Sequence, residues 1–494
     1  MKIYLRQRRI LIGIGEKMSN NRLVRDLSSV LFSNGIVLIA SILTGLVIPK
    51  FLSVADYGLY KIFNLYIGYT ALLHFGFVDG ILLHYAGSDY ESLDQQKFRM
   101  YSHFFILFQV TVGLVFVLLA QILFKGSGKL IVSLIGIDTV VVNVTTYYQY
   151  ISQSTLRFNE LSIRKISQAI MRIVIICTLL FGSQLGFISH VGFSLFIGLW
   201  ISIDFSLVLW YIVTYRNITF GIRERLIDGF NDVRALFKDG ITLTVAFQVS
   251  NLILTLDSQF VSMFFSTTTY AIYAFAYTLL SMANTVINAV SLVLFPNLRR
   301  MNRSKVLKEY TSSVALITLA IFSMHVGYFL LSWFIKWYLP EYADSLIYLR
   351  LIFPGLAITS CISAVIFTYY KLLDMTGIYF NISVIILAVA GLLNYFAYRL
   401  FMSPISITVS SLVVLFVWYI VTQVVLKRHF KLTIWKNTSY LLVMSTLFYV
   451  TTELSDILGA ILFSIGFLSV TALWYRNLVT DMLHRVIRKS KTTE

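Results

Sequence analysis

Ionisable side chains interrupt several apolar stretches of this sequence, and they are the residues that could do chemistry. Lys61 and Asp79 lie in one such stretch, Ser53–Gly87, and Arg172 and Asp257 lie in two others. The spacing of Lys61 and Asp79 is five turns of a continuous helix, which would place both on one face, roughly 27 Å apart along the axis. Because charge is costly in hydrocarbon, these side chains should face protein or a water-filled cavity.

Each charge suggests a role. A carboxylate that is released from a lysine gains proton affinity, so Asp79 and Asp257 are candidates for gating or ion coupling, with Lys61 as a partner for Asp257. A static Lys61–Asp257 pair, or an Asp79 that only shapes its helix end, remains an alternative. Arg172 carries a guanidinium that suits bidentate binding of phosphate, although it could instead reach toward the membrane surface.

Neutral amides accompany these charges on the first, second and seventh apolar stretches. Amide groups both donate and accept hydrogen bonds, as a hydroxyl-rich ligand such as a sugar requires. The alternative is that they hold helices together. We predict that the following residues bind substrate or line a cavity: Lys61, Asn64, Arg172, Asn34, Gln248 and Asn251.

The elements that must position these residues are membrane helices. The 494-residue chain is 58% hydrophobic and only 13% charged, against about 25% charged in soluble proteins. Its net charge of +17 indicates membrane orientation and attraction to anionic lipid rather than nucleic-acid binding. The two cysteines, Cys177 and Cys361, lie in apolar stretches and are expected to be buried thiols, with no metal site and no disulfide.

Fourteen apolar runs approach the length that spans a bilayer, and they are predicted to make an all-α polytopic membrane protein. If the N-terminus is cytoplasmic, most of the 40 Lys and Arg residues fall in cytoplasmic segments, which predicts that both termini are cytoplasmic. The runs lie at about 27–49, 58–82, 102–124, 131–154, 166–183, 188–213, 241–263, 270–294, 311–334, 347–370, 378–398, 405–425, 438–452 and 457–475.

Two ordered sequence matches indicate an internal repeat. Residues 31–38 align with 236–243, and residues 53–60 align with 266–273, so two six-helix blocks would share one orientation. The segment 214–240 mixes charged and apolar residues as an interfacial amphipathic helix does. The predicted segments are a basic leader at 1–26, a first lobe at 27–213, a connector at 214–240, a second lobe at 241–425, two more helices at 426–476 and a basic cytoplasmic tail at 477–494.

The layout of six, six and two helices, together with Ala55-Asp56-Tyr57-Gly58 and the run from His74 to Ile81, resembles the polysaccharide-transport and O-antigen flippases. These belong to the multidrug/oligosaccharidyl-lipid/polysaccharide exporter superfamily. The resemblance implies a bacterial inner-membrane protein that moves an undecaprenyl-pyrophosphate-linked sugar repeat unit by alternating access. It also implies two lobes with helices 1, 2, 7 and 8 lining a cavity, membrane lipids and other polysaccharide assembly proteins as partners, and no cofactor apart from a coupling H⁺ or Na⁺.

Two other functions are consistent with fourteen membrane helices. A cation-coupled multidrug antiporter of the same superfamily would favour acidic cavity residues. A membrane polysaccharide polymerase would need a catalytic loop outside the membrane, for which the predicted external loops are short. The sequence contains no Gly-rich phosphate loop, no His-Glu-x-x-His and no Cys/His cluster, so we do not expect ATP to drive transport within this chain. Because the external loops are short, we expect a transporter rather than an enzyme.

Overall fold

Helices form all the regular structure in the computed structural model, which describes residues 20–186, 191–282 and 303–476; no strand occurs in those ranges. The chain divides into two compact units. Of the described residues, the first contains 20–186, 191–255 and 266–271, and the second contains 256–265, 272–282 and 303–476. Part of the predicted leader (1–19), the second half of the eighth predicted span (283–294) and the tail (477–494) lie outside the described residues.

The first unit contains seven described helices and most of an eighth. A 3₁₀ helix, Thr70–His74, lies between the second and third helices, and a single turn, Arg216–Thr219, follows the seventh. The eighth helix continues from the first unit into the second after residue 255. The helices are α1 (Asn20–Phe51), α2 (Val54–Ile67), α3 (Phe77–Tyr85), α4 (Gln95–Leu123), α5 (Gly126–Ser154), α6 (Phe158–Gln184), α7 (Phe193–Thr214) and α8 (Phe230–Phe264).

The second unit contains most of the remaining helices. Its tenth predicted span is interrupted at Pro354-Gly355, and it continues through a π-helical segment, Cys361–Ile366. The helices after α8 are α9 (267–282), α10 (Arg303–Met324), α11 (Gly327–Tyr338), α12 (Ser345–Ile352), α13 (Gly355–Ser360), α14 (Phe367–Leu372), α15 (Thr376–Phe401), α16 (Pro404–Phe430), α17 (Trp435–Thr451) and α18 (Asp456–Trp474).

The prediction of a polytopic membrane protein is confirmed. Within the described ranges, 11 helical segments are long and apolar enough to cross a membrane, and the bent pair α2–α3 raises the number to 12. The thirteenth predicted span corresponds to α17, which has only 17 residues, and the eighth extends beyond the described residues. The number fourteen therefore stays a prediction.

One helix across Ser53–Gly87 was predicted, and that prediction is wrong. The segment is bent by 59° between α2 and α3, and Phe75 and Gly76 at the bend both have left-handed backbone conformations, with φ of 47° and 87°. Lys61 lies before the bend and Asp79 after it. The single polar face that the spacing predicted therefore does not exist.

Glycines allow the bent segment to lie directly against α8. A Cβ on Gly76, Gly80 or Gly240 would collide with the backbone of the opposite segment, at Ile241, Leu236 and Gly76 respectively. Gly76 and Gly80 are four residues apart, the small-residue spacing that lets membrane helices approach closely. Around this contact the first unit has an aromatic core that includes Phe77, Tyr101 and Tyr147.

The connector differs from its prediction. Residues 220–229 are turns and irregular backbone rather than an amphipathic helix, and α8 begins at Phe230 and continues through the seventh predicted span. The Arg99 side chain fixes the irregular part, because its Nε donates to the Asn217 carbonyl (2.7 Å) and its Nη1 donates to the Ile222 carbonyl (3.0 Å). The predicted lobe boundary at 240–241 lies within α8.

The two sequence copies at 53–60 and 266–273 share a local structure. The Ser53 hydroxyl accepts a hydrogen bond from the Asp56 amide, and the Ser266 hydroxyl accepts one from the Thr269 amide, both at 3.1 Å. Each serine thus caps the start of a helix. This supports the correspondence of the two motifs, while the complete six-helix repeat stays a prediction.

The cysteines differ from each other. Cys361 is buried, as expected, but Cys177 is exposed on the surface of α6, so the expectation of a buried thiol there is wrong. An apolar side chain on a membrane helix faces either protein or lipid, and hydropathy does not distinguish the two.

We expect Gly76→Ala to destabilise the protein by about 1–3 kcal/mol, because alanine is strained at positive φ and its methyl group would meet the Ile241 backbone. Thermal unfolding of the purified protein in detergent measures the effect. Gly35→Ala is the control, since nothing lies within 4 Å of its new methyl group. Equal midpoints for the two variants would contradict the close contact.

Candidate functional site

The bend between α2 and α3 is held by buried amides from neighbouring helices. Where the α-helix stops, carbonyl groups lose their partners, and in a membrane protein these must be bonded internally. The Asn143 Nδ2 donates to the Thr70 carbonyl (3.1 Å) and to the Gln109 Oε1 (2.8 Å), and the Gln109 Nε2 donates to the Leu73 carbonyl (3.2 Å). Asn143 and Gln109 are 1% and 0% exposed. They keep the bend in one conformation.

Asp79 lies immediately after the bend and bonds to α8. Its Oδ2 accepts a hydrogen bond from the Thr244 hydroxyl, and the His74 Nε2 lies 4.0 Å from the same oxygen. The His74 Nδ1 accepts from the Gly76 amide (3.2 Å), so a neutral imidazole has its proton on the nitrogen that faces Asp79. Asp79 therefore links the bend to α8 and does more than end its own helix.

The predicted amides of α8 also contact the bend. The Gln248 Nε2 donates to the Gly68 carbonyl at 3.5 Å, and the Asn251 Nδ2 donates to the Gln248 Oε1 at 3.3 Å. One turn further on, the Tyr69 and Thr255 hydroxyls bond at 2.6 Å. Gln248 is buried, and this geometry agrees with the alternative that these amides join helices. Asn251 is half-buried and retains polar atoms for a ligand.

A second cluster surrounds Arg172 on α6. The Arg172 Nη2 donates to the Asp204 Oδ1 at 3.2 Å, and the Gln168 Nε2 donates to the same oxygen at 2.6 Å. The guanidinium lies over the Trp200 ring, with its carbon 4.7 Å from the ring centroid. Arg172 therefore forms an ion pair within the protein rather than extending alone toward the membrane surface. Its Nε has no hydrogen-bond partner among the described residues.

Asp138 adds a second carboxylate to this cluster. It is 2% exposed, and its Oδ1 has no hydrogen-bond partner among the described residues. It interacts electrostatically with both Asp204 and Arg172. Since an unpaired buried carboxylate is costly, Asp138 is a polar feature of the unit that the sequence did not assign to a site. Its only sequence signal was an acid within an apolar run.

Lys61 and Asn64 lie beside Tyr60, whose ring packs against the Trp200 ring. The Lys61 Nζ is 5.3 Å and 5.5 Å from the centroids of the Tyr57 and Tyr60 rings. Tyr60 packs edge-to-face on Trp200 at 6.3 Å, and the Asn64 side chain lies near the Tyr60 hydroxyl. The structure thus brings three predicted residues, Lys61, Asn64 and Arg172, around the Tyr60–Trp200 ring pair.

Asp257 belongs to the second unit and is satisfied there by neutral donors. Its Oδ2 accepts hydrogen bonds from the Tyr273 hydroxyl (2.9 Å) and the Tyr277 hydroxyl, and its Oδ1 accepts from the Ser258 amide (2.6 Å). Because Lys61 and Asp257 belong to different units, their pairing stays a prediction. The last predicted residue, Asn34, is half-buried on α1. In the described ranges, no three His, Cys, Asp or Glu side chains are grouped so that they could hold a metal ion.

The Thr244 hydroxyl is expected to fix the bend through Asp79. Thr244→Val keeps the shape but leaves the buried carboxylate without this donor, which should cost about 1–3 kcal/mol of stability. Hydrogen exchange of residues 77–85 should rise in the same variant. Thr244→Ser restores the donor and serves as the control, so a valine variant as protected as the serine variant would contradict the link.

The fold is similar to that of known exporters. A lipid II flippase, MurJ, superimposes with a TM-score of 0.68 at 14% identity, over 92% of this chain and 100% of that one. A multidrug resistance transporter of the MATE family gives 0.51 at 11% identity, over 82% of this chain and 95% of that one. A superfamily transporter from Pyrococcus furiosus gives 0.50 at 11% identity, over 83% and 96%. No curated protein sequence matches the chain.

The family assignment comes from the sequence itself. The family model described as polysaccharide biosynthesis protein matches residues 23–302, more than half of the chain. That range contains the bend, the Arg172 cluster and Asp257. The helical fold and the sequence therefore agree with the resemblance seen first, and this chain belongs to the polysaccharide biosynthesis protein family and has the fold of the multidrug/oligosaccharidyl-lipid/polysaccharide exporter superfamily.

Proposed function

We propose that this protein is a secondary transporter that flips an undecaprenyl-pyrophosphate-linked oligosaccharide repeat unit across the bacterial inner membrane by alternating access. The product would serve the synthesis of O-antigen, capsule or exopolysaccharide. The observation that carries the proposal is the combination of a polysaccharide biosynthesis family with an exporter fold. For a membrane protein of polysaccharide synthesis with this fold, the expected cargo is the lipid carrier on which the sugars are assembled.

The proposal includes fourteen membrane helices, arranged as two six-helix repeats and two further helices, with both termini in the cytoplasm. The distribution of Lys and Arg along the sequence supports this topology. Membrane lipids and other polysaccharide assembly proteins would be its partners. Transport would need no cofactor, but an H⁺ or Na⁺ gradient could drive it through Asp79 or Asp257.

Within this proposal, the pyrophosphate is bound near Arg172. The guanidinium is already paired with Asp204, yet its side chain is 30% exposed. An arriving phosphate would therefore compete with the Asp204 carboxylate, which also accepts a hydrogen bond from Gln168. Arg172 would then exchange one anion for another. Such an exchange lowers the cost of desolvating a charged headgroup. Lys61, Asn64, Asn34, Gln248 and Asn251 are proposed to line the path of the sugars.

A cation-coupled multidrug antiporter is the second candidate, and the two carboxylates Asp138 and Asp204 favour it. These two carboxylates outnumber the single guanidinium of the Arg172 cluster. A cationic drug would bind the carboxylates and would not require the guanidinium. The candidates therefore differ in which member of the cluster the cargo requires.

Deletion of the gene is expected to cause lipid-linked repeat units to accumulate in the inner leaflet, and the wild-type gene is expected to reverse this. The measurement is the leaflet distribution of the lipid-linked glycan in membrane vesicles, with drug resistance scored in parallel. Absence of accumulation, or a loss of drug resistance alone, would contradict the flippase and favour the antiporter.

A double-variant experiment separates the binding of phosphate by Arg172 from its structural role. Arg172→Met leaves Asp204 without its cation and should cost about 1–3 kcal/mol of stability. Adding Asp204→Leu removes the orphaned carboxylate and should recover the stability but not the flipping. Lys165→Met, which removes a cation that lies toward the cytoplasmic end of α6, is the control for charge. Recovery of flipping in the double variant would show that Arg172 only neutralises Asp204.

A further inference from the structure

Three helix ends of the second unit line a half-open polar cavity that the transport proposal does not use. It lies where α10, α17 and α18 meet and has a volume of about 350 Å³. Its lining includes two cations and no acidic residue. The lining residues are Thr311, Ser312, Ala315, Lys436, Leu473, Trp474, Tyr475 and Arg476.

Buried hydrogen bonds fix the walls of this cavity. Asn437 is fully buried; its Nδ2 donates to the Thr311 carbonyl (2.9 Å), and its Oδ1 accepts from the Tyr475 hydroxyl (2.6 Å). The Trp474 indole donates to the Lys436 carbonyl at 3.1 Å. Each of the three helices is therefore bonded to another at the cavity, and the cavity is a formed feature of the fold rather than a gap between mobile ends.

The two cations give the cavity its chemistry. The Lys436 side chain lies along the Tyr475 ring, with Nζ 5.1 Å from the centroid, and it forms no ion pair with another described residue. Arg476, which follows Tyr475 in the chain, also lines the cavity and supplies a planar set of donors suited to phosphate. The Ser312 hydroxyl adds a neutral donor at the wall. This set of groups fits an anion.

The surroundings distinguish a lipid from a soluble anion. Leu473 is 84% exposed at the edge of the cavity, and Trp474 and Tyr475 are side chains typical of the membrane interface. The predicted topology places these helix ends at the cytoplasmic surface, where anionic lipids are concentrated and basic pockets between helices bind their headgroups. A free phosphate has no apolar group that could pack against the exposed Leu473 side chain.

The volume distinguishes between kinds of lipid. A cavity of 350 Å³ equals the volume that about twelve water molecules occupy in the liquid. This is room for a phosphodiester with its glycerol, whereas most of a headgroup that carries a chain of sugar rings would remain outside. We propose that the cavity binds the phosphate headgroup of an anionic phospholipid of the cytoplasmic leaflet, held by Lys436 and Arg476, with the acyl chains beside Leu473.

Native mass spectrometry of the purified full-length protein with phosphatidylglycerol and phosphatidylcholine tests the site. The wild type should retain phosphatidylglycerol in preference to phosphatidylcholine. Lys436→Gln and Arg476→Gln should each lower this retention about fivefold, the effect expected for one basic residue at a membrane surface. Arg428→Gln, which removes an exposed charge at the end of α16 outside the cavity, should leave it unchanged. Equal retention by all three variants would overturn the proposal.

A variant that fills the cavity tests whether its shape matters as well as its charge, and thermal unfolding tests whether the variants are folded. Ser312→Leu fills the cavity while both cations remain, and it should also reduce retention of phosphatidylglycerol. Thermal unfolding in a zwitterionic detergent should be the same for all variants. Full retention by Ser312→Leu would overturn the proposal.

Two competitors test the identity of the occupant. Neither inorganic phosphate nor undecaprenyl pyrophosphate should displace phosphatidylglycerol from the wild type. Displacement by inorganic phosphate would make this a site for a soluble anion. Displacement by undecaprenyl pyrophosphate, lost in Lys436→Gln, would assign the site to the carrier lipid. Either result would overturn the phospholipid assignment, and neither depends on whether the protein is a flippase.

Discussion

A helix that stops within the membrane must have its freed carbonyl groups bonded by protein, and this requirement organises the first unit. Asn143, Gln109 and Gln248 supply the amides, from three different helices. Glycines on both sides allow the bent segment to lie against the α8 backbone. The bend therefore depends on α4, α5 and α8 at once, and its position is as fixed as that of the core around it.

The ionisable groups of the described membrane segments are mostly satisfied by neighbours within their own unit. Asp79 bonds to Thr244, Asp257 to two tyrosines, and Arg172 to Asp204. A transporter that uses such groups works by exchange, because a proton, an ion or an anionic ligand must replace a partner that is already present. Asp138 differs, since one of its carboxylate oxygens is buried without a described partner. Because the Arg172 cluster contains both acidic and basic side chains, it can interact with a ligand of either charge.

Much of the helical framework was predictable, but the details of the site were not. Hydropathy identifies membrane helices well because a span needs about 20 consecutive, mostly apolar residues to cross the hydrocarbon core. The break at Pro354-Gly355 has a local cause that the sequence shows, because proline removes a donor. The bend at Gly76 was not predicted, since Gly68, His74 and Gly76 tolerate a helix as well as a bend. The amides that favour the bend come from residues 36 or more positions away in the chain from the carbonyl groups that they bond. Asp204 could not be chosen as the partner of Arg172 without knowing how α6 and α7 are rotated.

By itself, the sequence determined that this is a helical membrane protein, roughly where most of its apolar helices lie, and which polar residues lie inside the apolar runs. These are local properties of composition and spacing. The tertiary structure decided which of those polar residues meet. It placed Asp79 on Thr244 rather than in line with Lys61, and it gathered Lys61, Asn64 and Arg172 around one ring pair. Partners are set by helix rotation and bending, and these depend on packing between segments far apart in the chain.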